Sequence, residues 1–532
     1  MTTLSSPPAP TRPRVRVTDQ AAGFARDQRP SLIVGGLVAA FLVSVAVRLP
    51  WADDLMLHLA VLQRLIGNPL HPGNPVIDIG GSSIYYSPYM LVLALLGKVT
   101  GLSAYSLYKL AAVVNIGLLL SGLYRFVRTL SDARWAPPLA LIGLLFWWGT
   151  SAIAWSGFLS LISLGDTEAY PSTLATALTL HLWASLNGDG GSTHPARVDG
   201  TLLSVRRMLG AGALLGVILL VHQFTGLSAI VGCAAILVSR HRIVRTRPAW
   251  TSLALGIAGC AVVVVIWPYY HLWSVSQGQL DLLDPVHKAL YAHMYRWYGM
   301  GIVLGVVALA LRWWRSRTDV LALMFVGIGA VVAYGWVTHH WSYGRSWPMV
   351  MLVAQVGVAI AAAESKPGRI RWAWTVPVAV FTAIGVATQF GALLFLVPNS
   401  MQTKVSNALG TRGWIENIPH LDKLDKYFKP DEVVAAPTQL GQFEVAAHGG
   451  YGLTSPWYLP EIPRSVQSAR DTAVHEIFFS STTSEAAREA LLKQYDVTWV
   501  LLVPGQKLAS GFPAELTAQE AGYRLFRVSQ PG

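Results

Sequence analysis

Two adjacent aspartates, Asp53 and Asp54, stand just beyond the first long apolar run of this 532-residue chain, and His58 follows Asp54 by four positions. Residues four apart share a helix face, so a carboxylate and an imidazole would meet there. Such groups serve as a general base or supply oxygen to a divalent cation. A helix N-cap needs only one carboxylate, and here there are two. From Leu55 to Ile66 the apolar spacing is helical with His58, Gln63 and Arg64 as the polar members, which predicts a helix lying in a membrane interface. Pro69, Pro72, Gly73, Pro75 and Gly80-Gly81 then forbid a continued helix, and Tyr85-Tyr86-Ser87-Pro88 returns the chain to the lipid. The stretch 49–104 thus reads as an acidic, aromatic outer loop, with His58, Tyr85 and Tyr86 as candidate substrate contacts.

A second acidic motif, Gly165-Asp166-Thr167-Glu168-Ala169-Tyr170-Pro171, precedes a later apolar run. By itself it reads equally well as a solvated turn. Taken with Asp53 and Asp54, it makes Asp166 and Glu168 catalytic candidates. Asp53 and Asp166 become the first candidates to hold a divalent cation, Mg2+ or Mn2+. His222-Gln223 stands at the outer end of a span. In His339-His340-Trp341-Ser342-Tyr343-Gly344-Arg345 the arginine occupies an outer span end, against the usual bias of basic residues toward the inside. A guanidinium binds phosphate through two parallel hydrogen bonds, and neighbouring aromatic rings suit an isoprenoid chain. His222, His339, His340 and Arg345 are therefore substrate-binding candidates. His287, Lys288, His293 and Arg296 are phosphate candidates of lower weight.

The elements that must position these groups are membrane helices. Hydrophobic residues make up 53% of the chain, charged residues 13%, and mean hydropathy is +0.44, a profile of polytopic membrane proteins rather than soluble ones. Cys233 and Cys260 both fall in apolar runs and read as buried small residues. The net charge of +12 does not point to nucleic acid: residues 400–532 carry 12 basic and 14 acidic residues, so the excess belongs to the membrane part. Residues 1–30, with arginines among Pro and Ser, read as a disordered cytoplasmic tail. Apolar length places spans at about 31–48, 105–126, 137–152, 171–187, 208–221, 224–239, 249–271, 299–312, 319–337, 346–363 and 372–397, about eleven in all. The first span reads as an uncleaved anchor. With the tail inside, alternate connections carry Arg125 and Arg128, Arg206-Arg207, the basic run 240–247, Arg312 to Arg317, and Lys366 to Arg371. That is the positive-inside pattern, and it puts every candidate group listed above on the outer face.

Beyond the membrane domain, 31–398, the apolar runs stop. Residues 399–532 read as a small α/β domain outside the membrane. A strand starts near Asp431 to Ala436, a helix follows the cap at Thr482-Thr483-Ser484-Glu485, and strands run from Val497 to Val503 and Tyr523 to Val528. Its glycines follow no phosphate-loop or dinucleotide pattern.

An acidic residue just after the first span, an amphipathic helix, a Pro-rich loop ending in Tyr-Tyr-Ser-Pro and a span leading into an arginine pair resemble the GT-C superfamily. Those membrane glycosyltransferases include protein O-mannosyltransferases, lipid A aminoarabinose transferases and actinobacterial arabinosyl- and mannosyltransferases. The resemblance implies a polytopic α-helical fold in a cell membrane and a polyprenyl-phosphate sugar donor used at the outer face. It also implies a glycan, lipid or protein acceptor of a bacterial cell envelope, and inversion at the anomeric carbon. Asp53 or Asp54 would be the catalytic or metal-binding acid, and Asp166 with Glu168 would match the second acidic motif. Two other classes compete. A lipid-linked-sugar transporter or flippase would keep its charges near the membrane midplane and often shows repeated halves, whereas these charges lie at outer ends and no repeat is visible. A non-catalytic envelope assembly protein on a transferase-like fold is the third, because fold does not fix function.

Overall fold

The computed structural model describes residues 17–50, 54–81, 83–188, 204–240, 247–272, 284–409, 421–429 and 431–529. Asp53 and most of the basic run 240–247 lie outside the described residues, as does the first part of the N-terminal tail.

Helices α1 (Val17–Arg48), α4 (Ala104–Arg128), α12 (Met294–Arg315), α13 (Val320–Thr338), α14 (Trp347–Ala363) and α15 (Arg369–Thr388) form the long apolar set. Among the described residues, six helical stretches are long and apolar enough to cross a membrane, α14 being counted together with the 3-10 turn Trp341–Ser346 that runs into it. The other five expected spans coincide with shorter helices: α5 (Ala136–Phe146), α7 (Pro171–Asn187), α8 (Val205–Val221), α9 (Gln223–Ser239) and α10 (Arg247–Val265). The expected count of eleven therefore rests on six full-length helices and five shorter ones. Lipid-facing sides are plain on the outermost helices, where Leu37 is 69% exposed and Ile257 63%.

The departure at α5 has a physical cause. The apolar run extends to residue 152, but the helix stops at Phe146 and the chain turns onto α12. The Trp147 carbonyl accepts from Gln355 Nε2 at 3.0 Å, and the Trp148 carbonyl accepts from the Gly301 amide at 3.2 Å. Backbone leaves helical form inside a membrane domain only where other donors satisfy it, and these do so. Small residues set the closest approach elsewhere: a Cβ on Gly212 of α8 would stand 1.8 Å from the Gly256 carbonyl oxygen of α10.

Between α1 and α4, helices α2 (Leu55–Gly67) and α3 (Pro88–Thr100) pack on one another. The C-terminal sheet has the order β2-β1-β3-β5-β4, from β1 (Val433–Ala435), β2 (Tyr451–Gly452), β3 (Val497–Leu502), β4 (Ala514–Glu520) and β5 (Tyr523–Val528). Strands β2, β1 and β3 run parallel, and β5 and β4 are antiparallel additions. Helices α16 (Gln439–Ala447), α17 (Arg464–Phe478) and α18 (Glu485–Gln494) accompany it. Ser484 caps α18 by accepting from the Ala487 amide, as the sequence pattern predicts.

This sheet unit is joined firmly to the membrane part. Ala446, Ala447, Leu459 and Ile462 belong to the same buried apolar cluster as α2. Gln63 Nε2 donates to the Ala447 carbonyl at 2.6 Å, and the Arg64 guanidinium lies 3.4 Å over the Tyr451 ring. Ile77 of the Pro-rich loop bridges Gly452 in parallel, extending the sheet edge by one residue. The outer loop is therefore held from both sides.

Candidate active site

Asp54 occupies the N-cap position of α2, yet its side chain makes no capping hydrogen bond. The carboxylate instead lies within electrostatic reach of Arg345, Tyr85 and Tyr108. One turn on, His58 is 4% exposed and ringed by three tyrosines, with centroids at 4.8 Å for Tyr170, 5.7 Å for Tyr85 and 5.9 Å for Tyr108. Burial pushes its imidazole down to about 3, so it is neutral. The helical spacing thus puts Asp54 and His58 beside the first half of the site.

The second acidic motif is buried rather than solvated. Asp166 and Thr167 end the short helix α6 (Leu161–Thr167), whose N-cap Ser160 accepts from the Ser163 amide, and Glu168 follows at its C-cap. Tyr89 of α3 donates to the Ala169 carbonyl at 2.5 Å, and Asn115 of α4 donates to the Glu168 carbonyl at 3.0 Å. These bonds fix the backbone that carries Tyr170 to His58. Both oxygens of Glu168 are buried and have no hydrogen-bond partner among the described residues. Burial, reinforced by Asp166, pushes the Glu168 carboxyl up to about 9. Two adjacent buried carboxyl groups are the donor type a hard divalent cation takes, so Asp166 and Glu168 fit such an ion. Among the described residues no three His, Cys, Asp or Glu side chains already cluster as a ligand set.

Arg345 sits in the 3-10 turn Trp341–Ser346, ahead of α14. Its Nη2 stands 3.3 Å from Nε2 of His222, the residue that joins α8 to α9. His222 in turn touches Thr225, with Nδ1 2.8 Å from the Thr225 hydroxyl. Burial, then Arg345, His58 and His287, hold His222 well below the usual imidazole range. His287, in helix α11 (Asp284–His287), completes this side, with ring centroids 6.0 Å from Trp155 and 6.2 Å from Phe224.

The structure thus brings together Asp54, His58, Tyr85, His222 and Arg345, with Asp166 and Glu168 on the segment that ends at Tyr170. It does not bring in every candidate. Tyr86 turns away: its hydroxyl donates to the Gly73 carbonyl at 2.9 Å and its carbonyl accepts from Trp267 Nε1, so it holds the loop. His339 is exposed and stacked on Trp341 at 5.2 Å. His340 lies 3.7 Å from Asp284 Oδ2, behind His287. Lys288, His293 and Arg296 are exposed and lie against Trp341, Trp297 and Tyr295.

Sequence reasoning missed Tyr108 and Tyr170 as walls around His58, and it missed Glu461. Ser83 donates to Glu461 Oε1, while Oε2 is buried without a hydrogen-bond partner among the described residues. Burial raises this carboxyl, and its charge reaches Tyr85 and Tyr86. An acid in the apolar run Trp457-Tyr458-Leu459-Pro460-Glu461-Ile462-Pro463 is a visible oddity, but its partner lies 378 positions away.

No protein-family model and no curated protein matches the chain. Among solved structures it is similar to the arabinofuranosyltransferase AftD from Mycobacteria. The TM-score is 0.53 at 14% identity, over 93% of this chain and 40% of that one. A mutant of the same enzyme aligns at 16% identity with a TM-score of 0.52, over 93% and 41%. The chain therefore spans about two-fifths of that protein's length. The archaeal oligosaccharyltransferase AglB from Archaeoglobus fulgidus, in complex with an inhibitory peptide and a dolichol-phosphate, aligns over 89% of this chain and 69% of that one. Its identity is 11% and its TM-score 0.47. This chain is a multi-pass membrane protein that shares the fold of the arabinofuranosyltransferase AftD over most of its length.

Proposed function

We propose that the protein is a glycosyltransferase that moves a sugar from a polyprenyl-phosphate carrier to an acceptor hydroxyl on a glycan, lipid or protein outside the plasma membrane. The single observation that carries this reading is that Asp54 and Arg345 lie within electrostatic reach of one another and of Tyr85, with His222 3.3 Å from the guanidinium. A guanidinium there suits the phosphate of the donor, and a carboxylate facing it suits the acceptor hydroxyl. The lipid tail of the carrier would enter between helices, whose outer ends carry all of these groups.

In the reaction Arg345, oriented by His222, offsets the charge that grows on the departing phosphate oxygen. Asp54, or Asp53 beside it, orients the acceptor and takes its proton as the new carbon–oxygen bond forms. A single displacement inverts the anomeric carbon. Asp166 and Glu168, with Asp53 as a further donor, would hold a Mg2+ or Mn2+ ion, which supplies positive charge to the phosphate when bound. The carrier, rather than a nucleotide, provides the leaving group, in keeping with a site outside the cell. The N-terminus would be cytoplasmic and the C-terminal sheet unit extracytoplasmic.

The test uses purified protein with a panel of polyprenyl-phosphate sugars and follows release of polyprenyl phosphate. Wild type is expected to release it with one donor class. Asp54→Asn should lower that rate by about 10²-fold or more, as loss of a general base does. Donor binding without release, across all donors and membrane-extract acceptors, would overturn the reading.

A further inference from the structure

His287 is held in one tautomer by a chain of hydrogen bonds that phosphate binding by Arg345 alone does not require. Asp284 Oδ1 accepts from both the amide and the hydroxyl of Ser342, each at 2.7 Å. A hydroxyl has one hydrogen, and Ser342 commits it to Asp284. The Ser342 oxygen, 2.9 Å from His287 Nδ1, must then accept from an Nδ1–H. His287 Nε2 is therefore left with its lone pair, and it has no hydrogen-bond partner among the described residues. The ring is 7% exposed and lies within electrostatic reach of Arg345 and His222.

A lone pair on a ring within electrostatic reach of Arg345 is a poor match for an anion bound there and a good match for a proton. Without a ligand, burial and then Arg345 push the His287 imidazole down to about 3. A phosphate beside Arg345 would cancel that cation and add a negative charge within electrostatic reach of the ring. The relay would then act as a compensating partner, because Nδ1–H, Ser342 and the Asp284 carboxylate stabilise an imidazolium. The charged and titratable groups around the relay are Arg345 and His222 facing His287, and His340, Tyr291 and Tyr343 facing Asp284.

We infer that His287 is a proton switch for the phosphate of the lipid carrier: binding of the anion beside Arg345 is coupled to uptake of one proton at His287 Nε2, with Asp284 and Ser342 as positioning residues. The proton comes from solvent, and no covalent step is involved. The inference rests on the reading of Arg345 as a phosphate site.

The experiment measures binding of a geranylgeranyl methyl phosphodiester to the full chain in detergent between pH 5.5 and 8. That probe carries one fixed negative charge throughout, so any pH dependence belongs to the protein. Wild type should bind more weakly as pH rises through the bound-state pKa of His287, by up to about tenfold per pH unit for one coupled proton. Calorimetry in two buffers of different ionisation enthalpy should give heats that differ by uptake of up to one proton. His287→Gln should remove the slope and the buffer difference, and Ser342→Ala should reduce both. A slope that is absent in wild type, or that survives in His287→Gln, would overturn the switch while leaving the phosphate site intact. Failure of wild type to bind the probe at any pH would overturn the phosphate site itself.

Discussion

Arg345 Nη2 and His222 Nε2 stand 3.3 Å apart although 123 positions separate them in the chain. On its other ring nitrogen, Nδ1, His222 accepts from the Thr225 amide at 3.3 Å and lies 2.8 Å from the Thr225 hydroxyl, so the same imidazole caps α9. The imidazole thereby ties the Arg345 guanidinium to the start of α9, within electrostatic reach of Asp54.

Replacement of Arg345 should therefore be severe even when charge is kept. Arg345→Lys preserves one positive charge but loses the planar fork that reaches His222 and a phosphate together. Release of polyprenyl phosphate should fall by about 10²-fold in both Arg345→Lys and Arg345→Ala, as for loss of a preorganised charge donor. Steady-state rates of the two variants, measured beside His222→Gln, check this.

Glu168 offers a test of the cation. A carboxyl pushed up to about 9 is protonated at neutral pH, so Glu168→Gln replaces it with a neutral group of the same shape and should leave thermal stability within about 0.5 kcal/mol. Activity should behave differently. A chelator should abolish wild-type release, Mg2+ or Mn2+ should restore it, and Glu168→Gln should need a much higher metal concentration for the same rate.

The C-terminal unit carries a pH signature of its own. Burial disfavours charge on His448, but Asp425 at 2.8 Å and Glu444 at 3.5 Å outweigh it and raise the imidazole from 6.5 to about 9. The folded value lies above the unfolded one, so the stabilisation is fully present below pH 6.5 and is lost as pH rises through 9. It amounts to about 3 kcal/mol by the conversion of 1.36 kcal/mol per pKa unit. Thermal melts of the full chain at pH 6.5 and 9.5 should show a clear drop for wild type. The drop should shrink sharply in His448→Gln.

Two glycines of α8, two positions apart, should answer oppositely to substitution. Gly212→Val would drive a branched side chain into the Gly256 carbonyl of α10 and force the helices apart, costing several kcal/mol. Gly210 has open space around its Cβ position, so Gly210→Ala should be tolerated. Melting temperature and detergent solubility of the two variants provide the comparison.

Much of the architecture was written in local sequence. Apolar length located most of the membrane helices, because a membrane accepts few other backbone forms. The i, i+4 spacing put Asp54 and His58 on one face, and Ser484 announced the helix it caps. Local pattern also isolated Asp166, Glu168, His222 and Arg345 as polar groups near helix ends, where their cost demands a reason. It erred on α5, since nothing in the run 137–152 says that Gln355 and Gly301 will take over the carbonyls of Trp147 and Trp148.

What only the tertiary structure decided is which of these groups meet, and with which tautomer and charge. Tyr86 and His339 look as suitable as Tyr85 and His222 in a list of residues. They are excluded because the bonds to Gly73 and Trp267, and the stack on Trp341, turn them elsewhere. Glu461 is drawn to Ser83 by packing of the sheet unit against α2, and His287 owes its Nδ1 proton to Asp284 through Ser342. Helix formation depends on neighbours within a few residues and on the solvent, so sequence carries it. Convergence depends on contacts between segments hundreds of residues apart, where packing of whole elements sets each distance and no local pattern records it.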